Sequence, residues 1–200
     1  MELNTGDLIF FEDDDMCCRK SSHSCFILLF KWFMCSRVTH SAMIYMDDNT
    51  PYVMECTLHR STQKDVDAAP GWAQMNVGHN GVQIRKLDCY DTRNMKVRRY
   101  IGVDKQKKIK KMYKKVKERD YDSNKCDWLS VVCSCRYKRR KFVCSTFMGY
   151  LLGLKDAAHM TPQSLMTIDL ANYARLLCDY DVPKQLDKLH EYHNDYSFRF

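Results

Sequence analysis

The sequence contains no unbroken apolar run of about 20 residues, the length a membrane-spanning helix needs. Its most apolar stretch, Cys25 to Cys35, is shorter and is interrupted by Lys31, so a buried or interfacial helix is expected there. There is no glycine-rich phosphate loop and no dinucleotide fingerprint, which removes the usual means of holding a nucleotide. The acidic cluster Glu12 to Asp15 reads as a turn rather than a cation loop. Cys126, Cys133, Cys135 and Cys144, together with His190 and His193, lack the paired ligand spacing of a structural zinc site. Neither a metal nor a cofactor is therefore expected. The opening, Met1 to Asp15, is acidic and has no secretory pattern, and the cysteine count of eleven is odd. Both features predict reduced thiols in a cytoplasmic setting rather than a disulfide scaffold, with most of the cysteines inert and buried. No internal repeat is present.

What the chain does have is enough apolar residue for one core. At 200 residues, 45% hydrophobic and 28% charged, a single domain is expected. Residues 6–11 read as a first strand entered from a turn. Residues 38–46 and 51–57 are β-rich runs flanking Asp47-Asp48-Asn49-Thr50, four turn formers, and this predicts an antiparallel hairpin. Further strands are expected at 81–87 and 96–103, with 61–79 as a loop before them. Asp104 can cap a helix over 105–119, where Ile109, Met112, Tyr113 and Val116 recur at helical spacing among lysines. A second helix is expected at about 127–135, a third from Cys144 to about Leu152 with Gly153 as its stop, and a helical stretch from Thr161-Pro162 through Leu177. The class is thus α+β, an antiparallel sheet packed against helices.

The hairpin carries His40 and Glu55, and the third helix opens on Cys144. A cysteine at a helix N-terminus, a histidine and a carboxylate are the components of a thiol nucleophile, its base and the group that orients the base. The helix end and an imidazolium neighbour both lower a thiol pKa, and the basic segment from Arg136 to Lys141 adds positive potential just before Cys144. The Cys144 backbone N–H can serve as one oxyanion donor.

Four ordered blocks carry a family resemblance: Gly6-Asp7-Leu8-Ile9-Phe10-Phe11, Thr39-His40-Ser41-Ala42-Met43-Ile44-Tyr45, Met54-Glu55 and Phe142-Val143-Cys144-Ser145. Together they resemble the permuted NlpC/P60 papain-like hydrolases, a family with bacterial members and members in poxviruses and other large DNA viruses. Thr161-Pro162-Gln163-Ser164-Leu165 is similar to a segment that follows the cysteine helix in such proteins. The resemblance implies a circularly permuted papain-like fold with the cysteine helix after the sheet. It also implies Cys144 as nucleophile, His40 as base, Glu55 as third polar residue, and hydrolysis of an amide or acyl ester bond in a peptide or lipid-linked substrate. A viral protein would work in the host cytoplasm or the virion. The alternative within enzymes resembles the lecithin:retinol acyltransferase-like thiol acyltransferases, which typically show an Asn-Cys-Glu-His-Phe block where this chain has Val143-Cys144-Ser145-Thr146-Phe147.

A third reading is a non-catalytic binding module. Between Lys105 and Lys141 there are 15 Lys or Arg against 4 Asp or Glu, whereas the whole chain carries a net charge of only +7. A concentrated cationic face suits an anionic membrane or nucleic acid, although lysines on a helix can also form a plain solvated face. Aromatic residues are sparse within this run, so a single-strand stacking platform is poorly matched.

Overall fold

A computed structural model of the chain describes residues 2–11, 38, 40–90, 92, 95–102, 105–123, 141–167, 170, 173 and 178–179. Six strands form one sheet: β1 (Leu8–Phe11), β2 (His40–Asp47), β3 (Thr50–Thr57), β4 (Gly81–Lys86), β5 (Met95–Arg98) and β6 (Cys178–Asp179). Their spatial order is β4-β3-β2-β1-β5-β6, and every neighbouring pair is antiparallel. The helices are α1 (Gln63–Ala68), α2 (Gln106–Lys114), α3 (Cys144–Leu152) and α4 (Pro162–Thr167). The class is α+β.

Alternation along the strands assigns two faces. Leu8, Phe10, Met43, Tyr45, Met54, Cys56, Val82 and Ile84 point to one side, where Ile109 and Tyr113 of α2, Phe147, Met148 and Leu151 of α3, and Leu165 of α4 complete the main core. Ile9, Phe11, Ala42, Ile44, Val53, Met95 and Val97 point to the other, joined by Leu3, Leu87 and Tyr90. Complete burial of Phe147 and Met148 contributes about 1.5–3 kcal/mol each, which fixes α3 across β2 and β3.

The hairpin forms as expected because Asp48 and Asn49 accept positive φ, 46° and 66°. Such values suit a two-residue turn whose twist matches the strands. Strand ends move by a few residues: the first strand begins at Leu8 after a turn at Thr5-Gly6, the fourth gives way to a 3₁₀ turn at Leu87–Cys89, and the fifth covers Met95–Arg98 rather than 96–103.

Three expectations need correction. Residues 61–79 are not simply a loop, because Thr62 and Asp65 form a reciprocal capping box that starts α1, followed by a 3₁₀ turn at Gly71–Ala73. The lysine-rich helix is shorter than 105–119. It ends at Lys114, where Lys115 and Val116 donate to Met112 and Tyr113 in tighter i→i+3 bonds. Of the helical stretch expected through Leu177, Pro162–Thr167 is helix, and Tyr173 bridges to Tyr100 instead. The cysteine helix stops at Gly153, which adopts the left-handed conformation (φ 72°) and donates to Gly149 and Tyr150. Asp104, the expected helix at 127–135, the apolar stretch 25–35 and the acidic cluster 12–15 lie outside the described residues.

Gly81 has φ 137°, and a Cβ there would stand 2.2 Å from the Arg119 carbonyl oxygen. It is where β4 bridges to Asp120, so the substitution strains the join between sheet and basic segment. Gly81→Ala is expected to destabilise the protein by roughly 1–3 kcal/mol or more in urea denaturation. Gly71→Ala, which meets nothing within 4 Å, should stay within about 0.5 kcal/mol of wild type.

Candidate active site

The sheet register brings the first two residues together. Met43 faces Met54 across β2 and β3, so one step along the ladder sets Glu55 opposite Ala42. His40, two residues back on the same face, is then its diagonal neighbour, within reach of a long side chain. His40 Nε2 lies 2.6 Å from Glu55 Oε2, with both side chains buried. The ring packs against Phe11 at 5.9 Å between centroids, and Phe11 stacks on Tyr90 at 5.7 Å.

Cys144 arrives from the other layer as the first residue of α3. The chain reaches it through Phe142, which bridges in parallel to Tyr121 and accepts from Asp122 N–H at 2.8 Å. The Arg119 guanidinium lies 5.0 Å above the Phe142 ring, and the Cys56 thiol donates to the Phe142 carbonyl at 3.3 Å. Valine cannot cap a helix with its side chain. Thr146 makes the reverse contact, its Oγ1 accepting from Val143 N–H at 3.0 Å and donating to the Val143 carbonyl at 3.1 Å. Ser145 donates to the Met160 carbonyl at 2.5 Å, tying the first turn to the segment before α4. Phe147 and Met148 then sink into the core. The result is a helix N-terminus held firmly, with the sulfur at its mouth.

The thiol of Cys144 lies beside the His40 ring, close enough for each group to shift the ionisation of the other. Glu55 occupies Nε2. Burial favours the neutral thiol, but the hydrogen bond and charge of His40, with further contributions from Ser41, outweigh it and hold Cys144 below the ordinary thiol value. Burial likewise disfavours a charged ring, yet Cys144 and Glu55 raise His40 well above its ordinary value. Burial pushes Glu55 up as well, and the hydrogen bond from His40, assisted by Tyr90 and Arg85, brings it below the usual carboxylate range. The three shifts act in one sense, each favouring the charged form: thiolate, imidazolium, carboxylate.

Four contributors escape a reading by motif. The Tyr90 hydroxyl donates to Glu55 Oε1 at 2.5 Å. Arg85 approaches that oxygen at 3.7 Å, lies over the Tyr90 ring at 5.0 Å, and is held by Asp65 at 3.0 Å. Asp65 is the N3 member of the capping box that opens α1, so this short helix anchors the far end of the network. Ser41 has a buried hydroxyl without a hydrogen bond of ordinary geometry, yet its backbone and side chain both act to favour the Cys144 thiolate. Only alternation offered a signal for Arg85, which belongs to the same sheet face as Glu55, and nothing local marked Tyr90.

Two other described histidines pair with carboxylates elsewhere. His59 Nε2 lies 3.9 Å from Asp65, and His79 Nδ1 lies 3.9 Å from Asp120. Cys126, Cys133, Cys135, His190 and His193 lie outside the described residues. Among the described residues, no group of three or more His, Cys, Asp or Glu is arranged to hold a metal ion. No described helix is long and apolar enough to cross a membrane.

No known family model matches this sequence, and no curated protein matches it. Among solved structures there is a likeness to the metalloprotein yiiX from Escherichia coli O157:H7, DUF1105, at 19% identity and a TM-score of 0.48. The likeness covers 76% of this chain, which spans 65% of the length of that neighbour. The functional reading rests on the geometry of the site.

Three described cysteines differ usefully. Cys89 is exposed, but burial of its thiol and the Asp88 carboxylate raise its pKa; Cys56 is buried and raised well above the ordinary value by burial and by the Cys144 charge. Alkylation by iodoacetamide well below pH 9.0, the ordinary thiol value, should therefore mark Cys144 before Cys89, despite the greater exposure of Cys89. Peptide mapping by mass spectrometry checks the order, and His40→Ala should remove the lead of Cys144. Labelling that follows exposure alone contradicts the assignment.

Proposed function

We propose that the protein is a papain-like cysteine hydrolase of the permuted NlpC/P60 type, with Cys144 as nucleophile, His40 as general base and acid, and Glu55 as the orienting carboxylate. The observation that carries this reading is the buried group of sulfur, imidazole and carboxylate, with the imidazole bonded to Glu55 at 2.6 Å and Cys144 and His40 each favouring the other's charged form. Its chain order supports it too: the strands bearing His40 and Glu55 precede the helix bearing Cys144, the permuted arrangement. The substrate class is an amide or acyl ester carbonyl, peptide or lipid-linked.

The chemistry follows from the charges. The Cys144 thiolate attacks the carbonyl carbon and forms a C–S bond, while the carbonyl electron pair moves to oxygen. The N–H of Cys144, a first-turn amide with no intrahelical acceptor, faces that oxyanion with the positive end of the helix behind it. Collapse breaks the C–N or C–O bond, and the leaving group takes the proton held on His40. Water then gives a proton to the neutral ring as it attacks the thioester, and sulfur departs as thiolate. Glu55 keeps the ring oriented and favours its charged form, with Tyr90 and Arg85 fixing Glu55 in turn.

Cys144→Ser should lower turnover of an amide or ester substrate by roughly 10⁴-fold or more while leaving the melting temperature nearly unchanged. The wild-type rate should be bell-shaped in pH. Activity needs Cys144 ionised and His40 protonated, so the acid limb falls below 9.0, the ordinary thiol value, and the alkaline limb above 6.5, the ordinary imidazole value. Substantial turnover in Cys144→Ser, or a single limb centred on the ordinary thiol value, overturns the proposal.

A further inference from the structure

The lysine-rich segment is not absorbed by the catalytic reading. Its exposed cations are Lys107, Lys108, Lys111, Lys114 and Lys115. At 100° per residue they fall within an arc of about 120° on α2 and the residue after it. Ile109 and Tyr113 occupy the opposite side and are buried in the main core. Two flanking cations are engaged with rings, Lys105 over Tyr100 at 5.0 Å and Lys110 over Trp72 at 4.6 Å. The helix therefore presents a fixed row of ammonium groups, and from Lys105 to Arg119 the only acidic residue is Glu118.

Two large apolar side chains stand out as exposed among the described residues, and both belong to this region. Ile101, 66% exposed, lies in the segment leading into α2, and Val77, 54% exposed, lies in the 74–79 loop. Lys117 holds that loop by donating to the Gln74 carbonyl at 3.2 Å, beyond the C-terminal end of α2. One exposed apolar side chain thus precedes α2 in the chain, and the other belongs to a loop tied to the segment that follows it. Hydrocarbon next to headgroup phosphate can satisfy both features.

We propose that this surface docks on an anionic phospholipid membrane, the lysines meeting the headgroups and Ile101 and Val77 entering the interface. Nucleic acid is the less fitting polyanion. The row is built of lysine, a point charge without the planar fork that reads bases. The nearby described rings are also occupied: Trp72 is packed against Tyr45 and Tyr113 and donates to Asp47, while Tyr100 packs against Tyr173, so neither ring is offered to bases for stacking. Docking is independent of the thiol chemistry, because none of these side chains belongs to the Cys144, His40 and Glu55 line.

Flotation of the full chain with phosphatidylcholine vesicles, with and without phosphatidylserine, tests the proposal across a salt series. Binding should require phosphatidylserine and weaken as salt rises. Lys107→Glu, Lys108→Glu and Lys111→Glu combined should lower it by at least about tenfold. Ile101→Asp should lower it severalfold, chiefly the part that survives salt. Circular dichroism and Cys144 alkylation rates should match wild type in both variants, which separates loss of docking from loss of fold or of the thiol site. No binding, equal binding to neutral vesicles, binding unaltered by the lysine reversals, or tighter binding to duplex DNA or single-stranded RNA with no effect of Ile101→Asp would each overturn it.

Discussion

Glu55 carries a negative charge at a position where only 1% of the residue is exposed, and the candidate site depends on how that charge is accommodated. Removing a carboxylate from water costs several kcal/mol, and the cost is offset only when its oxygens are well paired. Here one oxygen meets the His40 ring at 2.6 Å, and the other accepts a hydrogen bond from the Tyr90 hydroxyl at 2.5 Å with Arg85 nearby. Pairing of this quality keeps the carboxylate ionised, and the ionised carboxylate makes a charged imidazole tolerable inside the core. A charged imidazole in turn favours a thiolate at Cys144. Each charge is costly alone, and the alternation of sign makes the row possible.

The surrounding fold can be understood as support for that row. The β2–β3 ladder sets the diagonal between His40 and Glu55, and a slip by one residue would send one of them to the opposite face. Helix α3 delivers the sulfur, and its position is fixed by Phe147 and Met148 below and by the Ser145 bond to Met160 beside it. Helix α1 is short and lies at the edge of the sheet next to β4, yet Asp65 within it holds Arg85, which faces the far oxygen of Glu55. The site therefore extends through four chain segments that are distant in sequence.

Much of the frame was legible because its signals are local. Asp47 to Thr50 announce the hairpin, Gly153 announces the end of α3, and the placement of Cys144, His40 and Glu55 on helix start and strands follows from those same signals. The supporting residues were less legible, since Tyr90 and Arg85 acquire their roles only through packing across the sheet. Helix α1 has a readable cap at Thr62 and Asp65 but, at six residues, too little length for a periodic apolar face. The lysine helix was read too long for the converse reason: the apolar spacing continues through Val116, while the backbone has already tightened into i→i+3 bonds. The exposed Ile101 and Val77 could not be told from buried aliphatics before the core was known.

Coupling between sulfur and ring is the central claim, and NMR titration of the His40 imidazole in wild type and in Cys144→Ala measures it directly. The account predicts a ring that stays protonated well above 6.5, the ordinary value, in wild type and loses its proton at distinctly lower pH once the sulfur is gone. A ring that titrates near the ordinary value in wild type, or one indifferent to removal of the Cys144 thiol, would contradict it.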